Sequence, residues 1–264
     1  MSMSELHKPE WYGECAIISD KYNDYVQIKY KCNGTGTLYD YSLFPGINLI
    51  FMDFNCSDIF YEPIPNKNII EIRHYQKGRV EFELRNNKVF HMKEGELCIN
   101  ALANVPAAYS FPFGYSVGLS CVIDKDSIDA KTKQIFSYYN IDVLNLGQEL
   151  EIEKKWFLCR TPQRLLHIFD ELYAAKGVEG KDYFRIKLLE LFYHIKQLRI
   201  EDQYEATYYS KKQIEIIKRI RHQLIENLDK KLSIEELLRK EPMSKATFQA
   251  IFKQIYGDTP YAHI

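Results

Sequence analysis

Lys245, Gln249 and Lys253 stand four residues apart, a spacing that puts all three on one face of an α-helix. Ala246 and Ala250 lie between them on the same face. A glutamine amide can pair bidentately with adenine, and a lysine ammonium can reach guanine or a phosphate oxygen. The chemistry on offer is therefore recognition of base edges and phosphates. For Lys253 the plain alternative is an ordinary solvated lysine. The opposite side of the stretch carries Phe248, Ile251, Phe252 and Ile255 at i, i+3, i+4 and i+7, a core-facing stripe.

Other chemistry finds less support. A metal-dependent barrel enzyme needs two closely spaced histidines, a carboxylate and a further histidine. His74 and His91 are far apart in sequence, with no H-x-H, and His74 reads as a strand histidine. Glu81, Glu83 and Glu94 alternate with apolar residues and read as the solvent side of a hairpin. Nucleophile elbow, phosphate loop and H-E-x-x-H are missing, so no catalytic residue, metal ligand or cofactor is expected. The cysteines Cys15, Cys32, Cys56, Cys98, Cys121 and Cys159 are scattered, without C-x-x-C. They read as free, mostly buried thiols in a reducing cytoplasm and not as a disulfide framework or zinc site.

The candidate reading helix is positioned by its neighbours. Ser233 caps a first short helix, with Glu236 completing an S-x-x-E capping box. Pro242 stops that helix, Ser244 caps the second, and Gly257 suits a left-handed C-terminal position. Thr259-Pro260 opens a further helix. Leu237, Phe248 and Phe252 would form the core of this helix-turn-helix, a layout whose second helix enters the major groove. Upstream, 210–231 reads as a helix with apolar positions Ile214, Ile217, Leu224 and Leu228, and with Lys218, Arg219 and Arg221 mostly off that stripe. From Ser210 onward eleven cations face seven anions, a tail of +4 on a chain of net charge −1, which leaves the body at −5. That asymmetry suits a module that meets phosphate, although charge runs are commonly solvated helix faces.

The first half is strand-rich: 25–31, 47–54, 69–76, 80–85, 96–101 and 115–123 are short runs of Ile, Val, Phe and Tyr, separated by PGIN, PIPNKN, QKG, RNNK and KEGE. Close spacing of many short strands argues for an antiparallel barrel or sandwich. Asn86-Asn87 is a tight hairpin turn. Helices follow over 126–140, 161–177 (Thr161 as cap, Pro162 first) and 182–199. Phe184, Leu188, Leu191, Ile195 and Leu198 are spaced 4, 3, 4, 3, a seam that would either pack on the protein's own sheet or form a dimer interface. Polar, aperiodic 201–209 is a linker. No run of about 18 apolar residues is present, and the N-terminus lacks a secretory pattern, so neither a membrane partner nor export is expected.

Residues 225–264 closely resemble the DNA-binding domain of the AraC/XylS family of bacterial transcription regulators. The match is carried by L-S-hydrophobic-x-x-L (Leu232 to Leu237), Met243-Ser244, Phe252-Lys253 and Gly257-x-Thr259-Pro260. Residues 69–100, with a hairpin at Gly78 and a turn at Gly95, look similar to the cupin-like barrel of siderophore-uptake regulators within that family. The resemblance implies an α+β protein. It would have a cupin-like antiparallel β-barrel with flanking helices (15–200) for sensing or dimerisation, then an all-α helix-turn-helix segment (210–264). It further implies sequence-specific binding of double-stranded DNA by Lys245, Ala246, Gln249, Ala250 and Lys253, response to a small-molecule effector, homodimer formation, and transcriptional activation. Three departures stand out: Ala250 where the family has a long basic residue, Pro242 where a turn glycine is common, and a chain that ends at Ile264 after one of two helix-turn-helix units. One unit alone is expected to hold DNA weakly, because affinity grows with the number of phosphates engaged. The alternatives are a dimerisation partner without DNA binding of its own and, more remotely, a metal-dependent cupin enzyme.

Overall fold

Period-two alternation becomes a sheet. The computed structural model describes residues 12–61, 68–101, 106–227 and 233–263. Among these the strands are β1 (Ala16–Lys21), β2 (Val26–Tyr30), β3 (Gly34–Phe44), β4 (Ile47–Cys56), β5 (Phe60–Tyr61), β6 (Ile69–Glu83), β7 (Lys88–Lys93), β8 (Glu96–Ala101), β9 (Ala108–Ser110), β10 (Tyr115–Asp124), β11 (Phe157–Arg160) and β12 (Tyr209–Ser210). The helices are α1 (Ala130–Tyr138), α2 (Gln163–Ala175), α3 (Lys181–Ile195), α4 (Lys211–Glu226), α5 (Ile234–Leu238), α6 (Lys245–Tyr256) and α7 (Pro260–His263). The class is α+β, as the pattern implies. Leu228, residues 63–67, the first eleven residues and Ile264, on which some of the sequence expectations fall, lie outside the described residues. No described helix is long and apolar enough to cross a membrane.

The strands pair antiparallel in the order β1-β2-β3-β4-β10-β6-β7-β12, with β8 on β6, β11 on β8, and β9 bridging β5 and β6. This curled half-barrel buries side chains on both faces. Outward-facing Leu49, Phe51, Ile70, Ile72, Leu97, Ile99, Leu119 and Cys121 pack under α2 and α3, whereas Ile50, Phe54, Val80, Phe82, Cys98 and Val122 fill the concave interior.

Strand β6 corrects the sequence reading. QKG was expected to break it and Gly78 to turn a hairpin, yet the strand runs uninterrupted from Ile69 to Glu83. Its register against β10 skips Gln76, since Lys77 faces Val117 and Tyr75 faces Gly118. This bulge adds one residue and bends the strand. Gly78, at φ 83°, lets the bent strand leave β10 for β7 and β9; a Cβ there would overlap the carbonyl of Tyr115. The extra residue also inverts the alternation: Tyr75 faces the interior before it, Val80 and Phe82 after it.

The heptad-like seam packs on the protein's own sheet. Phe184, Leu188, Leu191, Ile195 and Leu198 are all at most 1 % exposed, in the cluster shared by α2, α3 and the convex face of the sheet. Tyr41 and Phe51 meet the Phe184 ring at centroid distances of 4.8 and 5.6 Å. The stripe thus takes the first of the two readings its spacing left open, packing within the chain. The 201–209 segment is laid down on the half-barrel: Tyr204 N–H donates to the Leu158 carbonyl (3.0 Å), the Gln203 amide donates to the Trp156 carbonyl (2.9 Å), and β12 pairs with β7.

Candidate nucleic-acid interface

The local signals around α6 are realised. The Ser233 hydroxyl accepts from Glu236 N–H and the Glu236 carboxylate accepts from Ser233 N–H, closing the capping box on α5. Ser244 Oγ accepts from Thr247 N–H (3.1 Å), satisfying a donor that the first turn leaves free. Gly257, at φ 88°, ends α6 with its N–H on the Lys253 carbonyl (2.8 Å). Phe248, Ile251, Phe252 and Ile255 are buried against Ile214, Ile217 and Ile220 of α4. From α5 the fully covered side chains are Ile234 and Leu238, with Leu237 only half-buried against them.

The face left over is the one the spacing singled out. Lys245, Ala246, Ala250 and Lys253 are exposed and Gln249 is half-buried, all on the side of α6 away from α4. Lys245 is engaged with Glu235 on α5, a pair with both partners in solvent, of the kind that contributes little and exchanges readily. Lys253 has no ion pair among the described residues.

Part of the wider cationic excess is engaged within the chain. Lys211 pairs with Glu83 (2.7 Å), Lys218 with Glu81 (2.6 Å) and Arg219 with Glu241 (2.5 Å), and the Arg221 guanidinium sits 4.7 Å from the Tyr256 ring centroid. The first two pairs correct another expectation. Glu81 is not on the solvent side of its hairpin but 7 % exposed beneath α4, and Glu83 is partly covered. Burial alone would raise the Glu81 carboxyl, but the hydrogen bond from His91 Nε2 (3.0 Å) and the Lys218 ammonium hold it down at about 2. The other end of α6 is also anchored: Arg79 of β6 donates to the Gln254 and Ile255 carbonyls, both at 2.5 Å. These are the acceptors a helix C-terminus leaves unpaired, at its negative end.

The interior of the half-barrel carries a polar wall that sequence alternation did not reveal as such. Glu71 and Arg73 on β6 form an ion pair at 2.7 Å, and Ser120 of β10 bonds the Glu71 carboxylate. Asp40 accepts from Asn48 Nδ2 (2.7 Å) and from the Tyr12 hydroxyl. The amide nitrogen of buried Asn100 has no hydrogen-bond partner among the described residues. Outside the interior, a cleft of about 430 Å³ separates the half-barrel (Ser57, Ile59, Phe111) from α4 (Arg221, His222, Ile225). His74 and His91 are not brought together: His91 faces Glu81, and His74 stacks on Phe169 of α2 at 4.1 Å.

One cluster escaped the sequence reading. Cys32, Cys56 and Asp58 converge, with the two sulfurs and a carboxylate oxygen all within 4.8 Å of one another. The spacing of 24 residues between the cysteines matches no motif; only the β3–β4 pairing, which sets Gly34 opposite Cys56, brings them together.

Comparison with known proteins gives no matching family model and no matching curated sequence. Among solved structures the chain is similar to the AraC-like transcriptional activator CuxR, at 11 % identity over 87 % of this chain and 78 % of that one, TM-score 0.38. It is also similar to ToxT from Vibrio cholerae O395, at 8 % identity over 81 % of this chain and 76 % of that one, TM-score 0.36. With likenesses this slight, the functional reading rests on the chain's own residues.

Proposed function

We propose that this chain is a DNA-binding transcription regulator of the AraC type, in which α5 and α6 form the helix-turn-helix and a cupin-like half-barrel carries it. The observation that supports this reading most is α6 itself. Its apolar face is wholly buried on α4, its C-terminus is fixed by Arg79, and its outer face presents Lys245, Gln249 and Lys253 beside two alanines. Small side chains at Ala246 and Ala250 allow the helix backbone to approach a groove closely, and Gln249 between two lysines combines a base reader with phosphate ligands. The polar interior wall around Arg73, Glu71 and Asn100 suits a small polar effector, whose contacts would bear on β6 and hence on Arg79 and Glu81. Activation, and assembly into a dimer through some surface other than the buried seam, belong to the same proposal.

Fluorescence polarisation on the full chain with double-stranded DNA from upstream of its own gene tests it. Affinity is expected to fall steeply as salt rises. Lys253→Ala, which removes one phosphate contact, is expected to lower the log–log slope by about 0.9. Gln249→Ala should lower discrimination between sequences while leaving that slope in place, at a cost of about 1–3 kcal/mol on the preferred site. No binding at low salt would remove the reading.

A further inference from the structure

The Cys32–Cys56–Asp58 cluster joins three different parts of one sheet edge. Cys32 sits in the turn between β2 and β3, Cys56 is the last residue of β4, and Asp58 follows two residues later. Gly34 makes the meeting possible: it takes φ 133° and lies so close to β4 that a Cβ would overlap the Asn55 carbonyl. Cys56 is buried, whereas Cys32 and Asp58 are half-buried, so the cluster opens to solvent on one side. Its carboxylate is already oriented, because Asn33 N–H donates to Asp58 Oδ2 at 2.5 Å. The backbone N–H of Asp58 in turn points at the Cys56 sulfur.

We propose that Cys32, Cys56 and Asp58 form a binding site for a thiophilic divalent cation such as zinc. Two thiolates and one carboxylate are a soft, three-ligand set, which selects zinc-like ions over magnesium or calcium and leaves a fourth tetrahedral position open to water. Separations up to 4.8 Å require the sulfurs and the oxygen to move inward by a modest amount, which rotation of the half-buried Cys32 and Asp58 side chains supplies. The N–H groups of Asn33 and Asp58 are the kind of outer partners that fix ligand orientation. Each ligated cysteine gives up its thiol proton to water as its S–metal bond forms, and no oxidant or reductant takes part. Ser57 and Ile59, which alternate with these ligands, line the cleft under α4, so the site lies next to the helical unit without depending on whether that unit binds DNA.

The test is titration of the reduced, metal-free full chain with cobalt(II), followed by displacement with zinc. One cobalt per chain, with a thiolate-to-cobalt charge-transfer band and the visible bands of tetrahedral geometry, is expected. Cys32→Ser should abolish most of that band and weaken zinc binding by at least about tenfold, and Asp58→Asn should weaken binding while keeping a two-thiolate spectrum. Cys15→Ser is the control and should change nothing. If Cys56→Ser fails to fold, maleimide labelling of Cys32 in the unmodified chain substitutes for it, and zinc should slow that reaction at least tenfold. A cobalt spectrum without thiolate bands, unchanged binding in Cys32→Ser, or labelling of Cys32 unaffected by zinc would overturn the proposal. So would a reduced chain that takes up no metal and instead links Cys32 to Cys56 on peroxide treatment, which would make the pair a redox couple.

Discussion

His74 shows how far a single side chain can be settled by counting protons. The Tyr173 hydroxyl has one proton and donates it to the His74 carbonyl (2.9 Å), so the 3.1 Å contact between His74 Nδ1 and that oxygen requires the ring proton on Nδ1. Nε2 is then a bare acceptor, buried without a partner among the described residues. Burial lowers its affinity for a second proton, from an ordinary 6.5 to about 4. Unfolding releases the ring to solvent, where it protonates readily, so the unfolded state binds more protons between these values. His74 therefore contributes stability that is fully present above pH 6.5 and is lost as pH falls to about 4. Glu81 adds a second, lower wave: its depressed carboxyl contributes above about 4.5, and that contribution is lost as pH falls towards about 2. Urea denaturation at pH 7 and pH 5 should show His74→Leu losing less stability across that interval than the unaltered chain. A slope equal to that of the unaltered chain would place the acid sensitivity elsewhere.

At the scale of elements, caps and helices were the legible part. Ser233, Glu236, Ser244 and Gly257 act within one turn of their own positions, so their meaning is local and survives folding unchanged. The helix at 161–177 starts one residue later than expected, with Pro162 as cap and Gln163 first, because the cap residue and the first helical residue differ only in ψ. Strands fared worse where glycine was taken as punctuation. Gly78, read as a hairpin turn, lies inside β6, and β3, absent from the expected strands, opens on Gly34 and Gly36, against which Asn55 and Phe54 press. Neither close approach can be seen along one strand. Gly78→Ala is expected to cost on the order of 1–3 kcal/mol, from its positive φ and the approaching Tyr115 carbonyl together. Chemical denaturation with an unchanged m-value would check it; a loss below a few tenths would mean the bend does not need glycine.

On the scale of the molecule, the helical segment is held against the half-barrel by charge. Glu81, Glu83 and Arg79 of β6 meet Lys218, Lys211 and the α6 carbonyls, so the acidic body and the basic tail, separate in the composition, neutralise one another at a contact. The candidate reading face was visible in the sequence because it needs only helical periodicity. The partners of Lys211 and Lys218 were not, because Glu83 and Glu81 belong to a strand 128 and 137 residues away. Breaking the contact with Arg79→Ala should speed proteolytic cleavage within 203–210 several-fold while the rest of the chain resists. Cleavage at the rate of the unaltered chain would show that the apolar packing around Val89 suffices.

The bulge at Gln76 sets a phase. Before it, odd-numbered residues of β6 look inward, placing Glu71 and Arg73 in the interior; after it the even-numbered ones do, turning Arg79, Glu81 and Glu83 out towards the helices. Deleting Gln76 would restore an unbroken alternation and rotate three charged side chains into the interior, where Val80 and Phe82 now sit. Interior and docking face are thus free to change by substitution but locked together against insertion or deletion. Across relatives of this chain, lengths should vary in the loops around this strand long before they vary within it.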